Sequence, residues 1–200
     1  MPDFALEAEL WRQGHAHIAG VDEAGRGPLA GPVVAAAVVL PRDWDNPTLR
    51  DSKKLSATQR EALFDEVRAR ALAWRITAMP PVEIDRLNIL QATLAAMARA
   101  VAALPRGPRG IRADYALIDG NKAPHMETPC QTVVKGDDRS YSIAAASILA
   151  KVARDRMMLA LDKRWPQYGF AAHKGYPTAA HRAAIAAHGP CPAHRVTFRW

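Results

Sequence analysis

The chain contains little cysteine and no long apolar run. Its two cysteines, Cys130 and Cys191, lie far apart and in no metal-ligand spacing, so neither a disulfide framework nor a cysteine zinc site is indicated. No stretch reaches about 18 uncharged apolar residues, and the N-terminal residues carry acids where a secretory signal peptide is basic. These absences predict a protein of the reducing cytoplasm that is not exported and does not bind a membrane.

Several common catalytic and nucleotide-binding motifs are also missing. The pattern GxxxxGK[ST] of phosphate-binding loops is absent, and Gly25, Gly27 and Gly31 do not fit GxGxxG. Ser147 lies in an apolar helical segment and not in a GxSxG turn, which argues against a serine hydrolase. The histidines form no HExxH pair, so we predict no histidine zinc site and expect most of them to be solvated or to cap helices. They are His15, His17, His125, His173, His181, His188 and His194.

The composition that remains is that of an ordinary globular protein with a basic surface. The chain has 200 residues, 49% of them hydrophobic and 24% charged, which is enough for one domain with a substantial core. Lysine and arginine number 27 against 20 acids, a formal net charge of +7. This excess favours a polyanionic partner, with nucleic acid considered first. A monomer is the default expectation.

The hydrophobic pattern predicts an α/β protein. Short apolar runs bounded by turn residues predict five strands, and longer amphipathic or apolar segments predict helices, with Ser56 as a candidate N-cap. The predicted strands are residues 18–21, 33–40, 74–79, 115–118 and 131–134. The predicted helices are residues 57–72, 82–104, 140–161 and 178–187.

Acidic residues follow directly after three of these strands. Asp22, Asp119 and Asp137 each stand at a strand end, and Glu23 is adjacent to the first of them. Ligand sites in open α/β sheets lie off the carboxyl ends of strands, so parallel, adjacent first, fourth and fifth strands would bring these acids together. Neighbouring residues of a strand point to opposite faces, so we expect Glu23 to join only if the strand ends at Asp22 and the glycines turn the chain.

Four converging carboxylates would repel one another unless cations neutralise them. Oxygen ligands select hard ions, so the pattern predicts Mg²⁺ or Mn²⁺, as a pair that clamps the attacking and leaving oxygens of a phosphodiester. Gly25 and Gly27 would let the backbone approach such a substrate closely. The alternative for each acid taken alone is an ordinary turn or a helix cap.

Six sequence blocks together resemble the bacterial ribonuclease HII family, also called type 2 ribonuclease H. The resemblance extends from about residue 18 to about residue 198. It implies a ribonuclease H-like fold, with a mixed five-stranded sheet, helices on both faces and a helical C-terminal part. The blocks are GVDEAGRGPLAGPV (20–33), DSKKLS (51–56), IDRLNILQATLAAM (84–97), IDGN (118–121), VVKGD with SIAAASILAKVARDR (133–156), and HKGYPTAAH (173–181).

The resemblance also implies a domain organisation and an activity. It implies one catalytic domain over residues 1–200, with a core at about 15–165 and a C-terminal segment at about 166–200. Members of this family cut the RNA strand of RNA/DNA hybrids and nick 5′ of ribonucleotides embedded in duplex DNA. The implied partners are therefore RNA/DNA hybrid and ribonucleotide-containing DNA duplex.

Individual residues take roles from the same resemblance. Asp22, Glu23, Asp119 and Asp137 match the four metal-binding catalytic acids of the family. The segment Gly25-Arg26-Gly27 matches the one that contacts the ribonucleotide 2′-hydroxyl and adjacent phosphates, and Tyr176 matches the tyrosine that packs on the sugar after the RNA-to-DNA junction. For Tyr176 the open alternative is a packing tyrosine in a turn.

Three further residues are assigned by physical argument beside the resemblance. Lys53 and Lys54 are expected to hold backbone phosphates, with a solvated charge pair as the alternative. Asp138, next to the motif acid, is expected at the N-terminal end of the following helix, where a carboxylate is favoured.

Two other functions remain open at this point. Another two-metal nuclease of the same fold, such as a junction resolvase, would use the same chemistry but as a dimer and without a ribose preference. A non-catalytic module that binds hybrids through its positive charge would need neither the acids nor a metal.

Overall fold

The computed structural model describes residues 1–44, 46–50, 55–106 and 110–199. Lys53 and Lys54 lie outside the described residues. The strands are β1 (Ile18–Ala24), β2 (Val33–Val39), β3 (Ala73–Met79), β4 (Tyr115–Asp119) and β5 (Cys130–Val133). The helices are α1 (Ala5–Arg12), α2 (Pro47–Arg50), α3 (Ala57–Arg70), α4 (Pro81–Leu87), α5 (Ile89–Ala102), α6 (Tyr141–Arg164), α7 (Phe170–His173) and α8 (Ala179–His188).

The strands form one mixed sheet in the order β3-β2-β1-β4-β5. β1 pairs with β2 antiparallel and with β4 parallel, and β4 pairs with β5 parallel. The first, fourth and fifth strands are therefore adjacent and parallel, which confirms the arrangement that the strand-end acids required. None of the helices in the described part of the chain is both long and apolar enough to span a bilayer.

Helices cover both faces of the sheet. β2 is buried along its whole length, and its alternate side chains enter two different cores, as the two-residue repeat of a strand requires. Val34 and Val38 pack in the core that α3 and α6 close, whereas Val33 and Val39 pack in the core that α5 closes. The sheet is thus the middle layer of a three-layer structure.

Helix α6 lies directly against β1, and Gly20 makes this contact possible. A Cβ atom at Gly20 would lie 2.0 Å from the carbonyl carbon of Ser142, so any larger residue would push the helix away. The helix begins after Ser140, whose hydroxyl accepts from the backbone N–H of Ile143 at 3.1 Å and donates to Glu7 Oε1 at 2.6 Å. The residues that follow β5 are held close to the sheet by this packing.

One local prediction needs correction and others agree with the structure. The expected helix over 82–104 is two helices, because Asn88 adopts φ 68° and its side chain accepts from the N–H of Gln91 as the N-cap of α5. Asp138 lies close to the N-terminal end of α6 as expected, in a short 3₁₀ turn two residues before the N-cap Ser140. Ser56 caps α3 as predicted, in a reciprocal capping box with Gln59.

The residues after α8 have no regular secondary structure but pack firmly against the glycine-rich turn that follows β1. The N–H of Gly31 donates to the carbonyl of Ala193 at 2.8 Å, and the N–H of Arg195 donates to the carbonyl of Leu29 at 2.9 Å. His194 and Arg195 are buried. The C-terminal segment therefore holds the turn between β1 and β2 in place.

Candidate active site

The carboxyl ends of three parallel strands bring the predicted acids to one edge of the sheet. Pairing between β1 and β4 ends with Val21 opposite Ile118, so the next step in register places Asp22 beside Asp119. Asp137 follows β5 in the 3₁₀ turn Gly136–Asp138. Carboxylate oxygens of Asp22, Glu23 and Asp119 all lie within 4.8 Å of one another.

Glu23 joins this group, although the expectation that the first strand must end at Asp22 for this to happen was wrong. β1 does not end at Asp22 but continues to Ala24, with Glu23 opposite Ala35 of β2. Because the pairing with β4 has already ended at Val21, the longer glutamate side chain can reach around the open side of β1. Adjacent residues on one strand can therefore supply ligands to the same site.

Hydrogen bonds hold these acids in place, but one of their buried carboxylate oxygens has no hydrogen-bond partner among the described residues. Asp119 Oδ1 accepts from the N–H of Gly136 at 2.6 Å, and Asp22 Oδ1 accepts from the N–H of Glu23 at 2.6 Å. Glu23 Oε1 lies 3.4 Å from Arg26 Nη1. Glu23 Oε2 is buried and has no hydrogen-bond partner among the described residues. A buried carboxylate oxygen of this kind is well suited to a cation.

The pKa values of these acids are raised, which also favours a bound cation. Burial raises the pKa of Asp22 well above its ordinary value, and the charges of Glu23, Asp119 and Asp137 raise it further. Burial also raises the pKa of Glu23, against the opposing effect of Arg26. For Asp119, burial again raises the pKa and the charge of Asp137 adds to it. Asp137 lies outside the group of three but close enough to act on two of its members.

The donor set of this site fits a hard divalent cation. All its ligand atoms are carboxylate oxygens, which Mg²⁺ and Mn²⁺ prefer over softer ligands. A cation would offset the burial and the like charges that raise these pKa values and would give Glu23 Oε2 a partner. The group is therefore a candidate metal centre.

The turn after β1 needs glycine at Gly25. Its φ of 96° lies in the left-handed region, and a Cβ atom there would lie 2.0 Å from Arg154 Nε. At Gly27 a Cβ atom would lie 3.6 Å from Cε1 of Tyr176, so this glycine leaves the backbone uncovered beside the tyrosine ring. The backbone of the turn is thus open to a ligand at Gly27.

Two buried arginines fix the shape of this turn. Arg195 donates from Nε to the carbonyl of Gly31 at 3.0 Å, and from its two terminal nitrogens to the carbonyls of Arg26 and Gly25 at 2.9 and 2.6 Å. Arg154 donates to the carbonyl of Pro32 at 3.1 Å, and also to those of Ala30 and Lys174. Both side chains are almost fully buried.

Sequence reasoning missed these arginines. Arg154 carried a signal, because it stands in a helix whose preceding turns are apolar on nearly every face. Arg195 carried none, since the segment around it shows no periodicity. The backbone carbonyls that bind it come from residues more than 160 positions earlier in the chain.

An open groove of about 350 Å³ joins the acids to the tyrosine. Asp22 and Glu23 line one end, the glycine turn forms a wall, and Lys151 of α6 contributes positive charge. Tyr176 lies at the other side with 46% of its surface exposed, so its ring is available for contact. The predicted residues Gly25, Arg26 and Gly27 also line this groove.

Two of the seven histidines are exceptions to the predicted distribution. His181 and His194 are buried and pack against each other and against aromatic rings, instead of being solvated. The prediction that most histidines cap helices or face solvent therefore does not extend to these two, whereas the other five are exposed or partly exposed. The described residues form no histidine metal group.

Comparison with known proteins agrees with this geometry. The family model described as Ribonuclease HII matches residues 19–200. The chain belongs to the ribonuclease HII family. It is 58% identical over 194 residues to the ribonuclease HII of Syntrophotalea carbinolica, covering 97% of this chain and 90% of that protein. It is 55% identical over 198 residues to the ribonuclease HII of Vibrio cholerae, covering 99% and 91%.

A solved structure of a ribonuclease HII relative shares the fold. The crystal structure of ribonuclease H2 from Pyrococcus horikoshii superposes with a TM-score of 0.75 at 25% identity, covering 92% of this chain and 94% of that one. The ribonuclease H-like architecture is thereby confirmed. Family membership makes the chain a hydrolytic nuclease with endonucleolytic ribonuclease H activity, and it sets aside the non-catalytic binding module.

Proposed function

We propose that this member of the ribonuclease HII family hydrolyses the RNA strand of RNA/DNA hybrids and also nicks duplex DNA 5′ of embedded ribonucleotides. The products would carry 3′-hydroxyl and 5′-phosphate ends. The observation that carries the proposal is the position of the acid cluster, which lies at one end of a groove whose wall is a glycine turn. The proposed catalytic acids thus lie next to a backbone segment that can contact a sugar.

Asp22, Glu23, Asp119 and Asp137 are the residues proposed to hold two divalent ions, Mg²⁺ or Mn²⁺. When bound, such ions supply an activated water for in-line attack on phosphorus and neutralise charge on the departing 3′ oxygen. Burial of Asp22 and the hydrogen bond from Gly136 to Asp119 orient the carboxylates before a substrate arrives. Preorganised ligands of this kind need no rearrangement during the reaction.

The glycine turn is proposed to recognise the ribose. The 2′-hydroxyl is the group that distinguishes a ribonucleotide from its deoxy neighbours, and backbone without Cβ atoms can hydrogen-bond it at close range. Arg195 engages the carbonyls of Gly25 and Arg26, so the turn is held in one shape for this contact. The half-exposed side chain of Arg26 can add a contact to a phosphate.

Tyr176 is proposed to read the next nucleotide. Its exposed ring beside Gly27 would pack on a deoxyribose and crowd a 2′-oxygen at the same place. The enzyme would therefore favour a ribonucleotide followed by DNA. Lys53 and Lys54 are proposed to bind backbone phosphates, and the net charge of +7 would attract the duplex as a whole.

The organisation predicted above belongs to this proposal. Residues 1–200 would act as one catalytic domain, working as a monomer in the cytoplasm. The packing of the C-terminal segment against the glycine turn supports the single domain, because the turn is held by residues from both parts. Light scattering at micromolar concentration tests the monomer directly.

An end-labelled duplex with one ribonucleotide tests the proposal. With Mg²⁺ or Mn²⁺ we expect a single nick on the 5′ side of the ribonucleotide, a 3′ end that a polymerase extends, and no product in EDTA. A matched all-DNA duplex should remain intact. Equal cleavage of both duplexes would instead favour a two-metal nuclease without ribose preference, such as a junction resolvase.

A further inference from the structure

Three histidines lie together beneath the tyrosine of the groove. His173 ends α7, His181 lies in α8 and His194 lies in the C-terminal segment. The rings of His173 and His181 stack with centroids 4.3 Å apart. Phe170 packs edge-on against His181 at 5.5 Å, and His181 and His194 are buried. Nothing in the proposed catalytic cycle uses these rings.

Hydrogen bonds fix which nitrogen of two of these rings carries the proton. His181 Nδ1 lies 2.9 Å from the carbonyl oxygen of Tyr176, and a carbonyl can only accept, so Nδ1 of His181 is protonated. His194 Nδ1 lies 2.9 Å from the backbone N–H of Cys191, which can only donate, and 3.3 Å from the Cys191 carbonyl, which can only accept. The shorter contact makes Nδ1 of His194 an acceptor and places its proton on Nε2.

The two assignments agree where the rings meet. The Nε2 atoms of His181 and His194 are 3.1 Å apart, so one of them must donate and the other accept. His194 has the proton and His181 has the lone pair. A directed chain of hydrogen bonds thus runs from Cys191 through His194 and His181 to Tyr176. We call this chain the histidine relay.

The relay requires both rings to be neutral. A second proton on either ring would place two N–H groups face to face or remove the acceptor for Cys191. Burial lowers the pKa of His181 and of His194, which keeps both neutral at pH 7. His173 has a separate role, since it donates from Nε2 to the carbonyl of Tyr168 and accepts at Nδ1 from the N–H of Gly175.

The relay ends on the backbone of Tyr176. The Tyr176 carbonyl accepts from His181 and also from the N–H of Thr178 at 2.8 Å, while its own N–H donates to the carbonyl of His173 at 2.9 Å. The preceding Gly175 accepts from the N–H of Leu29 at 2.8 Å, which ties the same segment to the glycine turn. The position of the tyrosine ring relative to that turn is therefore set through its backbone.

We propose that His181, held in one tautomer by His194, is a positioning residue for Tyr176 and so helps set the preference for deoxyribose after the cleaved ribonucleotide. This inference rests on the proposed function of Tyr176. The physical basis is that a ring which must contact one sugar and exclude its 2′-oxygen tolerates little displacement. A shift of about 1 Å in a positioned group can change a rate about 100-fold.

The test compares two variants that differ in one donor. In His181→Asn the amide nitrogen occupies the position of Nδ1 and can still donate to Tyr176, whereas His181→Leu removes the donor at similar volume. The measured quantity is the ratio of kcat/KM for a duplex with one ribonucleotide to kcat/KM for a uniform RNA/DNA hybrid. We expect His181→Leu to lower this ratio about tenfold or more and His181→Asn to stay within about threefold of wild type.

Controls separate this inference from the proposed function. His188→Leu, at an exposed position of the same helix, should leave the ratio unchanged. In a Tyr176→Ala background, His181→Leu should have no further effect on the ratio. If Tyr176→Ala lowers the ratio but His181→Leu does not, the inference is overturned while the proposed function stands. If wild type fails to cleave the one-ribonucleotide duplex, the proposed function itself fails.

The tautomers can be measured without any variant. Nitrogen-15 NMR of the wild-type imidazoles distinguishes protonated from unprotonated ring nitrogens. We expect protons on Nδ1 of His181 and on Nε2 of His194 at pH 7. A proton on Nε2 of His181 would break the relay and overturn the inference even if His181→Leu did not fold.

Discussion

Buried ionisable groups occur in two regions of this molecule, and the two regions differ in whether those groups have partners within the chain. At the sheet edge, burial raises the pKa of Asp22 and the like charges of Glu23, Asp119 and Asp137 raise it further, and one carboxylate oxygen of Glu23 has no hydrogen-bond partner among the described residues. In the C-terminal segment, burial lowers the pKa of Arg195 to about 9 and that of His194 to about 4. Those two groups are bonded to backbone carbonyls or to a neighbouring ring.

The difference separates a site that needs a ligand from one that does not. The acids would be completed by a cation, because like charges raise the pKa of Asp22 and Glu23 Oε2 has no hydrogen-bond partner among the described residues. The guanidinium of Arg195 is complete within the chain, because three carbonyls receive its hydrogen bonds. We therefore expect chemistry at the first region and positioning at the second.

Replacing an acid should abolish cleavage without unfolding the protein. Asp119→Asn removes a ligand charge but keeps the shape of the side chain, so we expect single-turnover cleavage to fall by at least about 1,000-fold, or about 4 kcal/mol in activation free energy. The melting temperature should stay the same or rise, because a repelling charge is lost. Asp65→Asn, at an exposed position of α3, is the matched control. Near-normal cleavage by Asp119→Asn would refute the metal assignment.

Replacing the buried arginine should act on stability and activity together. Arg195→Met leaves the carbonyls of Gly25, Arg26 and Gly31 without their donor, so we expect a loss of about 2 to 4 kcal/mol in the free energy of unfolding. Cleavage should fall as well, because the glycine turn loses its fixed shape. Urea denaturation measures the first effect. The exposed Arg199→Met serves as control, and an equal loss there would contradict the special role of Arg195.

The neutral histidines should make the C-terminal segment sensitive to acid. The pKa of His194 is 6.5 in its ordinary state and about 4 in the fold, so between these values the unfolded chain binds more protons and stability falls as pH falls. The full effect is about 3 kcal/mol at the acid end, at about 1.4 kcal/mol per pH unit. Urea denaturation from pH 7.5 to 4.5 should show a shallower dependence in His194→Asn than in wild type.

The pH dependence of stability must be compared between wild type and His194→Asn, because the acids change stability with pH in the opposite direction. Carboxylates with a raised pKa bind protons in the folded state, so without metal they favour the fold as pH falls. Their contribution is common to wild type and His194→Asn and cancels in the difference. The exposed His188→Asn should follow the wild-type curve. If His194→Asn also follows it, the buried histidine does not titrate as described.

The acid region was predictable from the sequence because its signal is local. Asp22, Asp119 and Asp137 each stand at or shortly after the end of a short apolar run, and the parallel pairing of the three strands brings them to one edge of the sheet. What could not be predicted was how Glu23 joins them. That depends on where the pairing of β1 with β4 ends, and the sequence near Glu23 does not indicate the length of β4.

The C-terminal region was not predictable, because its contacts are long-range. Arg195 and the carbonyls of the glycine turn are far apart in sequence, and carbonyls have no residue identity to recognise. His194 lies in a segment without periodicity, so its burial leaves no pattern either. The break at Asn88 was missed for a related reason, since asparagine can be either a tolerated helix residue or a left-handed cap.

The smallest predicted effect is the stabilisation of the fold when a metal ion binds the acids. Mn²⁺ at about 100 times its dissociation constant should stabilise the fold by about 2.7 kcal/mol, which raises the melting temperature by about 5 to 10 °C for a chain of this size. Protons compete for the same carboxylates, whose pKa values are raised, so the shift should grow as pH rises from 6 to 8. EDTA should reverse it.

Asp22→Asn separates metal binding from a general salt effect. Without metal this variant should be at least as stable as wild type, because one buried like charge is removed. With Mn²⁺ it should gain much less, because a ligand is lost, whereas Asp65→Asn should gain as much as wild type. An undiminished Mn²⁺ shift in Asp22→Asn would mean that the ion binds elsewhere. The contrast between an incomplete acid site and a complete basic one would then fail.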